Sequence, residues 1–238
     1  MSELKSHLDI DKMGILPSFF PDEFFYYYSL PDYDLTKTPG IALGKNIESN
    51  KFLIQNKRIL ISKLNPRIKR VWRVRNNEKY RSISSTEFVV INPKDINFDY
   101  LYYLLQSEEI YCQLEANAIG STNSHTRFNP NIIFALKAFI PKDNQQHRIA
   151  QILSTCDSVI EKTQAAIAKY RAIKQGMLHD LFTRGIDINT GKLRPKYEDA
   201  PALYKESKLG MVPKEWDVVR LEDLTEKIGS GITPTGGS

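Results

Sequence analysis

A long helical pattern constrains the fold of this chain more than any other feature. Between residues 143 and 184, apolar or small residues recur at alternating steps of three and four, the spacing of a helix that packs on another helix. No proline interrupts the segment, and Asp143 or Asn144 is suited to capping its start and Gly185 to ending it. At about 1.5 Å per residue, such a helix spans roughly 60 Å, too long for one small domain to bury.

The apolar stripe of this predicted helix is broad. A second apolar row lies beside the first, so we expect the helix to contact both its own domain and a partner. The residues predicted to form the partner surface are Ile149, Ile152, Leu153, Cys156, Val159, Ile160, Ile167, Tyr170 and Met177.

Positive charge is concentrated in one segment of the chain. The formal net charge is only +5, but residues 57–81 hold ten Lys or Arg residues and a single acid, so the remainder is net acidic. A dense cationic segment is typical of binding to nucleic-acid phosphates. The alternative is a solvated sheet edge that Lys and Arg protect from aggregation.

Three β-forming stretches organise this region: RILISKL (58–64), VWRVR (71–75) and STEFVVI (85–91). The residue before Pro66 cannot be helical, which predicts a turn that displays several cations together. Arg73 and Arg75 fall on one face of their strand. The candidate DNA contacts from this region are Lys63, Asn65, Arg67, Lys69, Arg70, Arg73 and Arg75.

A loop of small polar side chains supplies a second group of candidates. A predicted helix over residues 95–117 leads into the sequence GSTNSHTR (120–127). Hydroxyls and backbone N–H groups donate to phosphate oxygens and base edges, and small side chains permit close approach. The candidates are Ser121, Thr122, Ser124 and Arg127; an ordinary polar loop is the alternative.

The ends of the chain are related in sequence. An aromatic stretch over residues 14–34 is interpreted as core rather than as a base-stacking surface. After Gly185 a stretch without periodicity predicts a tether with little core, and then Lys208–Pro213 echoes Lys12–Pro17. The echo predicts the opening of a second copy of the first domain.

Several classes of protein are disfavoured. The chain lacks a P-loop, a GxGxxG loop after a strand, HExxH and GxSxG, and we expect no catalysis. No membrane span or signal peptide is predicted, so a cytoplasmic location is expected. Cys112 and Cys156 are expected to be buried thiols, and the scattered histidines predict no metal site.

Several ordered motifs resemble the specificity subunits of type I restriction-modification enzymes. Residues 58–72 and 85–88 look like the middle of that family's target recognition domain. GST (120–122) with Arg127, IP (140–141) and QQHRIA (145–150) resemble its end and its entry into a spacer helix. QGMLHDLFTRG (175–185) resembles the end of that helix. LGMVPKEW (209–216) resembles the start of a second recognition domain.

The resemblance implies an α+β fold in which a mixed α/β target recognition domain is followed by one long α-helix of coiled-coil type. The domains expected are residues 1–142 for DNA recognition, 143–184 for the spacer helix, and 185–238 for the tether and the start of a second domain. In the family, such subunits are non-catalytic and direct methyltransferase subunits, which bind S-adenosylmethionine, and sometimes restriction subunits, to a split DNA target. No cofactor is expected on this chain itself.

This sequence departs from the family plan because only the first half is present. We expect the long helix to pair with the same helix of a second copy across a two-fold axis. Two identical recognition domains would then recognise a symmetric interrupted DNA site. The alternatives are an inactive truncated fragment and a non-catalytic assembly scaffold that binds RNA. A small DNA methyltransferase, which would bind S-adenosylmethionine by itself, is the remaining enzyme hypothesis.

Overall fold

The computed structural model describes residues 2–55, 57–75, 79–120, 125–226 and 229. The chain divides into two compact units, Met1–Ser158 and Val159–Ser238. Within the part of the chain that is described, no helix is both long and apolar enough to cross a membrane.

The first unit mixes short helices with two main sheets. Its strands are β1 Ser2–Glu3, β2 Leu8–Asp11, β3 Gly14–Ile15, β4 Phe24–Tyr28, β5 Gly40–Leu43, β6 Lys51–Ile54, β7 Arg58–Ser62, β8 Val71–Val74, β9 Arg81–Ser84, β10 Phe88–Pro93, β11 Ala118–Ile119, β12 Arg127–Phe128 and β13 Lys137–Ala138. Its helices are α1 Leu30–Leu35, α2 Phe98–Leu104, α3 Glu108–Ala116, α4 Ile132–Ala135 and the start of α5 Asp143–Thr183.

One sheet has four antiparallel strands in the order β2-β10-β7-β8, and the other has five in the order β3-β6-β9-β4-β5. In the five-stranded sheet β4 and β9 are parallel, and the other neighbours are antiparallel. Two-stranded pairings join β1 to β13 and β11 to β12. This mixed architecture followed by a long helix confirms the predicted fold class.

The four-stranded sheet is buried on both faces, which explains its nearly continuous apolar sequence. Ile59 and Ile61 of β7 point into the main core, which the short helices cover. Leu60 between them points the other way, into a cluster with Trp72 and Val90. Alternation along each strand therefore supplies two separate cores.

The sequence located β7 and β8 correctly, but three neighbouring elements differ from expectation. The predicted helix over residues 95–117 is two helices, because Ser107 accepts a hydrogen bond from the Ile110 N–H and starts α3 as its N-cap. The strand predicted from residue 85 begins at Phe88. Strand β9 was not predicted, since its sequence RSIS is mostly polar.

The aromatic stretch near the start of the chain is only partly core. Phe25 and Tyr28 of β4 and Tyr33 of α1 are buried. Phe19 and Phe20 are exposed, and the Phe20 ring lies 4.3 Å below the Arg81 guanidinium. The interpretation as core therefore holds for one part of the stretch.

Helix α5 runs without interruption over 41 residues, close to its predicted bounds. At its start the Gln145 side chain accepts a hydrogen bond from the Lys142 N–H, and Asp143 and Asn144 lie inside the helix rather than at its N-cap position. At its end Gly185 adopts φ +64°, and its N–H donates to the Asp180 carbonyl. Glycine is the predicted terminator because it enters the left-handed region without steric cost.

The second unit contains the end of α5 and two small hairpins. The hairpins pair β14 Ile186–Asp187 with β15 Lys192–Leu193 and β16 Tyr204–Ser207 with β17 Gly210–Pro213. Arg194 and Tyr204 are buried there, so the segment expected to be a tether has its own small core. The displacement that relates Lys12–Pro17 to Lys208–Pro213 also places β16 at the position of β2.

Both cysteine side chains differ from the expectation of buried thiols. Cys112 lies on the outer face of α3 and Cys156 on α5, and both are exposed. In α3 the buried side chains Tyr111 and Leu114 lie on another face of the helix, whereas Cys156 belongs to the exposed apolar stripe of α5, so an apolar sequence context is a poor guide to the burial of one position.

Candidate nucleic-acid interface

Three chain segments meet at one place on the first unit: the turn at residues 63–69, the turn at 85–87 and the strand entry at 125–128. We name this site the loop junction. The Lys63 N–H donates to the Glu87 carbonyl at 2.9 Å, and the Asn65 N–H donates to the Thr126 carbonyl at 2.8 Å. The Phe128 N–H donates to the Lys63 carbonyl at 3.3 Å. Backbone hydrogen bonds therefore join segments that lie far apart in sequence.

Asn65 gives the first turn its shape. It adopts φ +48°, in the left-handed region that Asn tolerates better than most residues, and its carbonyl accepts a hydrogen bond from the Ile68 N–H. Pro66 fixes the next φ angle. The turn thereby exposes Arg67 and Ile68 to solvent.

The loop junction carries cations that have no acidic partner. Among the described residues, neither Lys63 nor Arg67 makes an ion pair. Arg67 lines a shallow groove of about 180 Å³ together with Pro66, Glu115, Ala118 and Thr126. Free guanidinium and ammonium groups beside a groove are suited to bind phosphate oxygens.

Arg127 is held at the same junction by an acid that the sequence analysis did not select. Its Nε donates to Glu87 at 3.0 Å and its Nη2 at 3.4 Å, and the Arg127 side chain remains 44% exposed. The contact spans forty residues of sequence, so no local pattern could identify Glu87 as the partner.

Most other cations of the basic segment are ion-paired with distant acids. The pairs are Arg58–Asp11, Lys69–Glu108, Arg70–Asp34, Arg73–Asp99, Arg75–Asp99 and Arg81–Glu23. The folded surface of this region therefore has much less excess positive charge than the sequence of residues 57–81 indicates.

Arg70 has the most enclosed of these environments. Its Nε and Nη2 donate to the two oxygens of Asp34 at 2.7 and 2.8 Å, and the arginine is 9% exposed. The hydrogen bonds from Arg70 hold the pKa of the Asp34 carboxyl below its usual value. Its burial weighs against a phosphate contact, and we assign Arg70 a structural role instead.

Arg73 and Arg75 share Asp99, each at 3.0 Å. The Arg73 guanidinium also stacks over the Tyr102 ring at 4.1 Å and is mostly buried, whereas Arg75 is exposed. The structure thus separates the two strand arginines by burial. Lys69 contacts both Glu108 and the Tyr111 ring. The candidates Ser121, Thr122 and Ser124 lie outside the described residues.

The predicted partner surface on α5 is solvent-exposed along its whole length. Exposure reaches 58% at Val159, 69% at Tyr170 and 56% at Met177. The other members of the predicted surface are exposed as well: Ile149, Ile152, Leu153, Cys156, Ile160 and Ile167. A continuous exposed apolar stripe of this length marks an interaction surface.

The described residues contain no group of three or more His, Cys, Asp or Glu side chains that could hold a metal ion. Among the polar groups of the loop junction are the side-chain cations Lys63, Arg67 and Arg127. Such groups can bind and orient an anionic polymer.

Comparison with known proteins identifies the family. Residues 22–169 match the family model described as the type I restriction modification DNA specificity domain. The chain is 26% identical over 148 residues to the type I restriction enzyme MjaVIII specificity subunit of Methanocaldococcus jannaschii, covering 61% of this chain and 31% of that protein. It is 28% identical over 151 residues to the putative MjaX specificity subunit of the same organism, covering 62% and 32%.

Solved structures share the fold. The HsdS subunit from Thermoanaerobacter tengcongensis aligns with a TM-score of 0.58 at 20% identity, covering 74% of this chain and 46% of that one. A chain from a structural study of the assembly and conformational transition of the type I R-M system aligns with a TM-score of 0.57 at 19% identity, covering 82% and 51%.

The chain spans about a third of the length of the curated relatives that it matches. The family model covers more than half of the chain, including all strands from β4 to β13 and helix α5 as far as residue 169. On this basis the chain belongs to the family of type I restriction-modification DNA specificity domains.

Proposed function

We propose that this chain binds double-stranded DNA in a sequence-specific manner, as the specificity subunit of a type I restriction-modification system. The observation that carries the proposal is the loop junction of a domain of this family, where Lys63 and Arg67, which make no ion pair with any described residue, lie on segments joined to that of the exposed Arg127. Lys63 and Arg67 would contact phosphates, and Arg127, oriented by Glu87, would approach base edges. Arg75, Asn65 and the residues of the 121–124 loop remain candidate contacts.

The chain would act without catalysing a reaction itself. It would recruit DNA methyltransferase subunits, which supply the S-adenosylmethionine, and in a complete system a restriction subunit as well. The cationic side chains of the loop junction are suited to binding an anion. The isolated chain is accordingly expected not to bind S-adenosylmethionine.

Self-association through α5 completes the proposal. The exposed stripe from Ile149 to Met177 would pack against the same stripe of a second copy, with the two helices antiparallel. Two identical recognition domains related by a two-fold axis would recognise a symmetric DNA site. The two halves of this site would be separated by base pairs that neither domain contacts.

The test is a selection of bound sequences. The purified chain, mixed with a type I methyltransferase subunit from the same system, is incubated with a pool of randomised 40-base-pair duplexes, and the bound fraction is sequenced. We expect an interrupted palindrome. Equal binding to all duplexes, or a preference for single strands or RNA, would contradict the proposal and favour the scaffold alternative.

A further inference from the structure

The first turns of α5 are attached to α2 by a buried amide. Gln146 is 4% exposed; its Oε1 accepts a hydrogen bond from the Asn97 N–H at 2.8 Å, and its Nε2 donates to the Pro141 carbonyl at 2.9 Å. Asn97 is the N-cap of α2, because its Oδ1 accepts from the Tyr100 N–H. One side chain of α5 is thus joined to the start of α2.

A second contact attaches α5 to the other end of α2. The Tyr103 hydroxyl donates a hydrogen bond to Asp157 Oδ2 at 2.7 Å. Burial and the Asp157 carboxylate raise the pKa of Tyr103, so the hydroxyl remains protonated and able to donate. The Tyr103 ring is itself held by the Tyr102 ring at 5.1 Å and by the Arg73 guanidinium at 5.5 Å.

The two contacts together fix the direction of the helix. Gln146 and Asp157 are separated by roughly 16 Å along the helix axis, at about 1.5 Å per residue. Between them Ala150 is buried in the main core. A helix attached at one point can rotate about that point, whereas a helix attached at two separated points keeps its direction.

Beyond Asp157 this support ends. Every side chain from Val159 to His179 is exposed, so within a single copy no buried side chain of these turns fixes their direction. The helix continues from Ser158 to Thr183 for roughly 38 Å. For a straight arm of that length, a swing of about 5° moves the far end by about 3 Å, close to the 3.4 Å rise of one DNA base pair.

We infer that the Tyr103–Asp157 hydrogen bond sets the number of base pairs between the two halves of the DNA target. The inference rests on the proposed function, since two half-sites have a fixed separation only if two recognition domains are paired. Tyr103 and Asp157 act as positioning residues. They hold α5 at the angle at which the recognition domain of the second copy is aligned with its own half-site. Neither residue belongs to the loop junction, so in variants at these two positions each recognition domain should keep its affinity for its own half-site.

The experiment measures how strictly the spacing is enforced. The half-sites that the wild-type complex selects are placed in duplexes with the selected spacing and with one or two base pairs more or fewer. We expect the wild type to lose about 100-fold in affinity when the spacing changes by one base pair, the lower end of the gain from two-site binding. In Tyr103→Phe, which keeps the ring beneath Arg73, we expect this loss to fall below about tenfold.

Three further measurements separate the inference from a general loss of structure. Asp157→Asn retains an oxygen that accepts from Tyr103 and should keep the wild-type spacing, whereas Asp157→Ala should relax it. Glu161→Ala removes a carboxylate from an exposed position one turn further on and should change nothing. Affinity for a duplex with a single half-site should be the same in all variants.

The outcomes distinguish the inference from the proposed function. If the wild type selects no interrupted sequence, the proposed function fails and the inference fails with it. If the wild type selects such a sequence but Tyr103→Phe enforces the spacing as strictly as the wild type does, only the inference is overturned.

Discussion

Arg67 and Arg70 are three residues apart, yet they have different physical environments. Arg67 lies on an exposed turn without an acidic partner among the described residues, and Arg70 is buried against Asp34. A guanidinium that is 9% exposed and donates two hydrogen bonds to Asp34 is poorly accessible to a phosphate. Sequence alone treats the two arginines as equivalent, and the fold assigns them different roles.

Alanine substitution should separate these two roles. Arg67→Ala should weaken binding to all duplexes and reduce the slope of log affinity against log salt by about 0.9, the value for one lost phosphate contact. Its free energy of unfolding should stay within about 0.5 kcal/mol of wild type. The measurements are DNA-binding titrations at several salt concentrations and urea unfolding.

Arg70→Ala should show the opposite pattern. Removing the arginine leaves Asp34 without its partner, which should lower the free energy of unfolding by about 1 to 3 kcal/mol, less than a fully buried pair because Asp34 is half exposed. Its salt slope should stay unchanged. A reduced salt slope in Arg70→Ala together with wild-type stability would show that Arg70, despite its burial, contacts DNA.

At the scale of the element, two glycines, one inside α5 and one just after its end, have contrasting settings. Gly176 lies inside the helix, and a Cβ at that position would meet no atom within 4 Å. Gly185 ends the helix at φ +64°, and a Cβ there would lie 2.5 Å from the Trp216 ring. The same residue type therefore weakens the helix at one position and ends it at the other.

Alanine at the two positions should change stability in opposite directions. Gly176→Ala should stabilise α5 by about 0.5 to 1 kcal/mol, because alanine loses less backbone entropy. Gly185→Ala should destabilise the helix end by at least about 1 to 2 kcal/mol, the cost of a left-handed residue with a Cβ, with the ring contact in addition. Amide hydrogen exchange of residues 170–184 measures both; faster exchange in Gly176→Ala would contradict the account.

Helix α5 also shows why its neighbours were harder to predict. Its periodic pattern persists for eleven turns without a proline, whereas α2 and α3 form one apolar pattern that a single serine, Ser107, divides. An N-cap signal inside an apolar pattern is weak in sequence. The break between α2 and α3 becomes evident only from the hydrogen bond that the Ile110 N–H donates to the Ser107 side chain.

For the whole molecule, the exposed stripe on α5 carries the prediction of self-association. Ile160→Asp with Ile167→Asp would place two carboxylates per chain in the proposed helix interface. If desolvating these charges costs about 4 kcal/mol in total, the dissociation constant should rise about a thousandfold. Light scattering should then report a mass near 27.4 kDa for the double variant and near twice that value for the wild type.

The matched control places the same charges on the opposite face of α5. Ala165→Asp with Ala168→Asp changes the net charge equally and should leave the mass of the wild type unchanged. Equal masses for both double variants and the wild type would mean that the stripe does not mediate self-association. A monomeric wild type would favour the alternative of a fragment that needs a second chain.

The sequence by itself determined those features that depend on local periodicity. The bounds of α5, strands β7 and β8 and the glycine at the helix end all follow from side-chain spacing and backbone preferences within short windows. The family resemblance rests on short motifs of the same kind, and the match to residues 22–169 confirms it. These patterns act over a few residues, so they can be seen without the fold.

Only the tertiary structure decided which charged and polar groups are free to act. Arg81 pairs with Glu23, fifty-eight residues away, and Arg127 pairs with Glu87 at a separation of forty. The burial of Gln146 and the contact between Tyr103 and Asp157 likewise join distant segments. Charge attraction and hydrogen bonding depend on distance in space, which sequence separation does not specify.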